Sequence, residues 1–493
     1  MIEGILIGLE TAFSLKNLMM VMIGCFSGTI IGMLPGLGPM TAIALMIPIT
    51  YGFEPSTGLI LMAGVYYGAV FGGSTSSILI NAPGIPGTVA TSFDGYPMAQ
   101  QGKAGKALAI AAYSSFAGGT IAAIFLLIAA PSLSKVSLAF RSPDYFGLMI
   151  LGLTAVSAFS AKGHFLKAMM MVVLGLMLAS VGQDTLSDIP RFTFQNMNLS
   201  DGISFVLVVM ATFAMSEALT IIFKANDPTR ITKQISLSQL GSIKLDKVET
   251  KKMVNTIPRS SVLGFIIGVL PGAGSTIASF LAYGMERNFV NDEEKQKFGK
   301  GSINGLAAPE TANNAACSGS FVPLLTLGIP GSGTTAVMLG ALLGFGIQPG
   351  PRLYQTNPEI FWSVIMSMYI GMVILLILNL PLIPYIARVL ATPRTFLIPL
   401  ILFFSVTGIY LMSFNNFDIY MMIGIAVVAT ILRLYDFPMP PLILAFVLGG
   451  LMEENLRRSL LISDGSWAFL WDRPLTLIIM LLIVSIIGWQ IYK

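Results

Sequence analysis

Apolar runs recur along this chain, separated by short polar segments and by clusters of glycine and proline. The runs at residues 18–34, 106–130, 145–160, 166–181 and 203–223 read as spanning helices, since about 20 apolar residues cross the hydrocarbon of a bilayer. Residues 1–16 are mildly amphipathic and read as an interfacial lead-in. The start, Met1-Ile2-Glu3-Gly4, lacks the basic segment of a secretion signal, so the first helix is expected to insert and stay.

Two stretches break the helical pattern. In Gly328-Ile329-Pro330-Gly331-Ser332-Gly333-Thr334-Thr335, apolar sequence is interrupted by Gly328, Pro330, Gly331 and Gly333. Proline lacks a donor and glycine is entropically costly, so a helix cannot run through them. The same interruption occurs at Gly84-Ile85-Pro86-Gly87, reached from the glycine-rich run 56–73 through Ser74-Thr75-Ser76-Ser77-Ile78-Leu79-Ile80-Asn81. At membrane depth, broken backbone is tolerated only where protein buries it or where it lines a wet cavity. Half-length apolar pieces on either side of a Gly/Pro turn predict a re-entrant helical hairpin at each break.

Composition agrees with this pattern. The chain is 55% hydrophobic and 11% charged, with mean hydropathy +0.80, whereas soluble domains carry about 25% charged residues. A net charge of +4 gives no footprint for nucleic acid. Cys25 and Cys317 lie apart in apolar context and read as buried hydrophobes; His164 is the only histidine, which leaves little material for a metal site or a triad. The basic stretch 224–260 is placed in the cytoplasm and the acidic stretch 183–202 outside, with Lys135 and Arg141 the exceptions.

The second half repeats the first in order. Gly32-Met33-Leu34-Pro35-Gly36-Leu37-Gly38 matches Gly268-Val269-Leu270-Pro271-Gly272-Ala273-Gly274. Ser74 and Ser76 align with Ser318 and Ser320 at the spacing that superposes Gly84 on Gly328. The expectation is an all-α polytopic membrane protein of about 10–12 transmembrane helices in two repeats, each with a hairpin. Residues 1–223 form the first repeat, 224–260 a basic linker and 261–493 the second. An acidic start (Glu3, Glu10) against a basic entry to the second repeat favours inversion.

Paired interrupted segments in two halves point to a transporter site. A broken helix exposes unpaired N–H groups carrying about half a positive charge, which can hold a carboxylate. Candidate substrate groups are Ser74, Thr75, Ser76, Asn81, Gly84, Pro86 and Gly87 in the first half. In the second they are Asn313, Asn314, Ser318, Ser320, Gly328, Pro330, Gly331, Ser332 and Thr334. Na⁺ would find oxygens near Ser76, Asn81, Ser320 and Thr326; any one hydroxyl can equally bond back to its own helix. Pro35, Gly36, Gly38, Pro271, Gly272, Gly274 and Ser275 form either tight turns or further breaks aimed at the same cavity. Ser275 and Thr276 are candidate N-caps. Glu310 either binds a proton or cation or caps a helix following Pro309, and Asp94 reads as an interfacial turn.

With these residues in view, the chain resembles the large membrane subunit of the tripartite tricarboxylate transporter family. The resemblance rests on 32–39, on 66–87 with its Asn81-Ala82-Pro83-Gly84 core, on 268–275 and on 308–333, and it covers nearly the whole chain. It implies secondary uptake of di- or tricarboxylates across a bacterial inner membrane, coupled to Na⁺ or H⁺ and with no other cofactor. It also implies a small membrane subunit, a periplasmic substrate-binding protein and, by analogy, an elevator-like motion. The rivals are a channel on the same frame, a scaffold subunit, and an intramembrane enzyme, for which no nucleophile–base pair can be assembled.

Overall fold

The computed structural model describes residues 2–34, 37–137, 139–158, 165–184, 187–223, 241–272, 274–386 and 394–492. The first half runs through α1 (Ile2–Ala12), α2 (Leu15–Met33), α3 (Gly38–Thr50), α4 (Pro55–Ile80), α5 (Val89–Met98), α6 (Ala104–Ser137), α7 (Ser142–Ala158) and α8 (Phe165–Ala179). A two-residue antiparallel ribbon follows, β1 (Gly182–Gln183) with β2 (Pro190–Arg191). Next come α9 (Phe205–Val209) and α10 (Ser216–Phe223), joined through π-helical turns at Met210–Met215.

The second half holds α11 (Lys247–Val269), α12 (Gly274–Phe289), α13 (Asp292–Lys295), α14 (Ile303–Gly319), α15 (Phe321–Leu327) and α16 (Gly333–Gly344). It continues with α17 (Leu353–Thr356), α18 (Pro358–Asn379), α19 (Ile383–Ile386), α20 (Arg394–Ser413), α21 (Asn416–Leu434), α22 (Pro440–Ile462) and α23 (Pro474–Tyr492). Among the described residues, six helical stretches are long and apolar enough to cross a membrane: Leu15–Met33, Pro55–Ile80, Pro86–Ser134, Phe205–Phe223, Pro358–Asn379 and Asn416–Leu434. Shorter apolar helices such as Phe165–Ala179 accompany them. Apolar stripes face outward, as Leu166, Met170, Val173 and Met177 do on α8, while Ala168, Met171 and Gly175 turn inward. This is the reverse of a soluble surface and marks a multi-pass membrane protein.

The centre is built by close approach of small residues. Gly24, Gly28 and Gly32 on α2 lie against the carbonyls of Leu61, Val65 and Ala69 on α4, where no Cβ would fit. Gly68 and Gly72 return the contact onto Cys25 and Thr29. In the second half Gly264 and Gly268 on α11 lie against the carbonyls of Ala312 and Ala316 on α14. Such seams let helices associate where lipid gives no hydrophobic drive. α4 is apolar all round and accordingly buried along nearly its whole length. Both cysteines are buried and free.

Two expectations change here. The helix entering the first break is not half-length: α4 is a continuous 26-residue helix that carries the Ser74–Ser77 run inside it. Pro309 lies within α14, so Glu310 is mid-helix and cannot cap a helix start. The polar stretch 224–260 is helical from Lys247, where Asp246 and Glu249 form a capping box; 224–240 and His164 fall outside the described residues.

Candidate substrate site

The two breaks have the same backbone geometry. α4 ends on Asn81 in the left-handed conformation (φ 51°), and the next N–H, of Ala82, donates to Ser76 O at 3.4 Å. α15 ends on Gly328 (φ 70°), and the N–H of Ile329 donates to Pro323 O at 3.2 Å. At each end the left-handed residue and the one after it aim their N–H groups at one carbonyl five and six residues back, a wide turn that needs a left-handed residue. Gly84 then packs on Gly73 and the Gly32 carbonyl, and Gly331 packs on Ser320 and the Gly268 carbonyl. The structural partners are therefore Asn81 with Gly328, Pro83 with Pro330, and Gly84 with Gly331. This corrects the sequence alignment of Gly84 with Gly328, and with it the pairing of Ser74 and Ser76 with Ser318 and Ser320, by about one helical turn.

Beyond the breaks, helix starts from both halves face one cavity of about 770 Å³, within the range of small-ligand sites. Its lining includes Pro39 and Met40 at the start of α3, Pro86 and Gly87 before α5, Gly274, Ser275 and Thr276 at the start of α12, and Ser332, Gly333 and Thr334 at the start of α16. An adjoining lobe of about 590 Å³ shares Pro39, Ile85 and Pro86 and adds Gly38 and Gly84. Gly38, Gly272, Gly274 and Ser275 thus line the cavity and its lobe; Pro35, Gly36 and residue 273 lie outside the described residues. Gly272 N–H also donates to Gly331 O at 3.0 Å, tying the loop before α12 to the second break. Ser332 caps α16 in a reciprocal box with Thr335, its N–H donating to Thr335 Oγ1 at 2.9 Å.

Behind the first break lies a buried polar cluster. The carboxyl group of Glu310 accepts from Ser74 at 2.7 Å, from Ser115 at 2.8 Å and from Thr91. It joins α14 to α4, α5 and α6 without a cation partner among the described residues. One turn further along α14, Asn313 is fully buried with neither amide atom hydrogen-bonded. Asn313 Oδ1 and Ser275 Oγ stand 2.7 and 3.0 Å from the point where a Cβ on Gly87 would sit. Buried polar groups are almost always paired, so the amide of Asn313 is an exception beside Gly87 and Ser275. Asn314 donates to Glu310 O at 3.0 Å.

The model of the tripartite tricarboxylate transporter TctA family matches residues 18–444. The chain belongs to this family. It is 43% identical over 465 residues, 94% of its own length and 91% of the relative's, to an uncharacterized 52.8 kDa protein in the TAR-I ttuC' 3' region of Agrobacterium vitis. A second Agrobacterium vitis protein, from the TAR-II ttuC' 3' region, is 43% identical over 212 residues, 43% of this chain and 87% of that protein. A TctA-family protein is a subunit of a tricarboxylate transporter.

In this TctA-family chain the other expected residues are placed as follows. The hydroxyls proposed for Na⁺ donate to carbonyls of their own helices: Ser76 to Gly73 (3.1 Å), Ser320 to Cys317 (2.7 Å) and Thr326 to Val322 (2.8 Å). Asn81, the fourth, is an exposed helix end. Thr75 is buried beside Ser74 and Ser115. Ser318 accepts from Tyr67 at 3.0 Å and donates to Gly119 O at 3.1 Å. Pro330 and Gly331 are buried in the turn, and Pro271 leads into Gly272 without lining the cavity. Asp94 is not an interfacial turn: it is buried and accepts from the N–H groups of Gly301 (2.9 Å) and Ser302 (2.7 Å) ahead of α14.

Two wall residues of the TctA-family cavity are absent from the sequence expectations, Arg433 and Glu217. They form an ion pair between α21 and α10. An arginine at the end of an apolar run is a functional candidate by default, and that signal was present in the sequence. A further cavity, of about 650 Å³, touches the other flank of the second break at Leu327 and Gly328, with Arg141, Arg352 and Arg458 around it. α22 borders the first cavity with Pro440 and Pro441 and the other with Leu451–Ile462. The second break therefore stands between the two.

Proposed function

We propose that this TctA-family subunit is a secondary carrier that imports a di- or tricarboxylate across a bacterial inner membrane, driven by Na⁺ or H⁺. The observation that carries the reading is the convergence of helix starts at Gly38, Pro86, Gly274 and Gly333 on one cavity. Each start offers unpaired N–H groups and about half a positive charge, which suits a carboxylate. Asn313 Oδ1 and Ser275 Oγ supply hard oxygens for Na⁺ beside Gly87, and Glu310 supplies the proton site if the driving ion is H⁺. Residues 1–223 and 261–493 act as inverted repeats whose re-entrant tips meet at the site. The bundle carrying the tips moves, elevator-like, against the remaining helices. A small membrane subunit and a periplasmic binding protein complete the system, the latter delivering substrate.

The test is uptake of labelled citrate, with a panel of other carboxylates, into vesicles holding all three components. Na⁺ and proton gradients are imposed separately. Uptake that follows one gradient and requires the binding protein is the expected result. Gradient-independent flux at channel rates, or no carboxylate uptake with all components folded, removes the reading.

A further inference from the structure

Apart from the helix starts, the side chains of the cavity bring an arriving anion no net positive charge. Its described lining holds two carboxylates, Glu217 and Asp436, against one cation, Arg433. Arg433 is only partly engaged. One terminal nitrogen donates to Glu217 and the other to Thr212 O at 2.9 Å, while the buried Nε has no partner. A guanidinium holds a carboxylate best through two adjacent N–H groups. Its position does not depend on Glu217 alone. Thr212 belongs to the π-helical turns at Met210–Met215, and the Phe213 ring lies 5.7 Å beneath the guanidinium. Such turns are frequent at functional sites.

We propose that Arg433 binds a second carboxylate of the transported anion, and that Glu217 is the internal carboxylate holding that place while the cavity is empty. The proposal rests on the carrier reading above. One carboxylate of the substrate sits at the helix starts, and the distal one takes the position of Glu217 on Arg433. One carboxylate leaves as another arrives, so Arg433 is never a bare buried cation, the state that costs most. Glu217 turns into the cavity it already lines. The exchange makes the number of carboxylates a selection criterion: a monocarboxylate occupies the helix starts and leaves the pair closed.

The full chain, purified in detergent, is tested for binding of labelled citrate, with succinate and butyrate as four-carbon competitors carrying two carboxylates and one. Arg433→Gln is expected to weaken citrate and succinate by more than about tenfold and to leave butyrate unchanged. Glu217→Gln is expected to bind citrate at least as tightly as the parent, and the double variant to behave as Arg433→Gln does. If the pair is only a tie between α10 and α21, both single variants melt early and the double variant recovers citrate binding; that result overturns the proposal. Unchanged citrate affinity in Arg433→Gln overturns it as well. A parent chain that binds no carboxylate removes the carrier reading itself, an outcome distinct from parent binding that is indifferent to Arg433.

Discussion

The first and second breaks share a backbone and differ in what stands behind it. Each ends a helix on a left-handed residue, turns through a proline and packs a glycine against the carbonyl of a matching glycine on the neighbouring helix. Behind the first, side chains are polar: Glu310 gathers three hydroxyls, and Asn313 is left without a partner. Behind the second they are aromatic, with Tyr66, Tyr67 and Phe321 in mutual ring contact. One backbone solution thus serves two tasks. The first break is backed by a buried carboxyl group and an unpartnered amide, and the second presents a capped helix start between two cavities.

The two breaks should differ most at the paired glycines. A Cβ on Gly84 runs into the Gly32 carbonyl oxygen, a backbone atom that cannot step aside. On Gly331 it meets Ser320 at 2.9 Å and Gly268 O at 3.0 Å. Gly84→Ala should cost about 3 kcal/mol and Gly331→Ala about 1 kcal/mol, read from thermal melting in detergent. Equal costs would mean that the two turns are not packed as described.

The next effect is at Glu310. Glu310→Gln keeps the volume but turns an amide toward hydroxyl donors, so about 2 kcal/mol of stability should be lost together with gradient-driven uptake. An exchange at the helix ends gives a smaller, asymmetric pair. Gly328→Asn keeps a residue that tolerates the left-handed conformation, but its Cβ meets Pro349 O at 2.5 Å, for a cost of about 1–2 kcal/mol. Asn81→Gly at an exposed end should change stability by less than about 1 kcal/mol. Least of all, Ser76→Ala should leave melting and citrate uptake within about 0.5 kcal/mol, because its hydroxyl bonds only to Gly73 O. A large loss of uptake there would put Ser76 back among the ligands.

Much of this was legible in the sequence because the signals are local. Apolar runs at 18–34, 106–130 and 203–223 became α2, α6 and α9–α10, and the Gly/Pro clusters became the breaks. The register was not legible. Identical letters at Gly84–Gly87 and Gly328–Gly331 attract an alignment, yet the physical requirement is a left-handed residue. Asparagine meets it at position 81 where glycine does at 328. Glu310 was singled out correctly as a buried ionisable group, but Pro309 suggested a helix start that α14 does not have. Arg433 and Glu217 are 216 residues apart, and only tertiary packing brings them to one wall. Asn313 differs again: the sequence offers it as a candidate substrate group, and the lack of any partner appears only in three dimensions.

If both breaks hold one site, citrate shields both from a thiol reagent. With the buried Cys25 and Cys317 replaced by alanine, Pro86→Cys and Thr334→Cys place single thiols on the two tips that line the cavity. Labelling by a small methanethiosulfonate reagent is followed while citrate is titrated. Citrate is expected to slow labelling at both positions over the same concentration range. Protection at one tip alone, or at neither while citrate still binds, would contradict a single site.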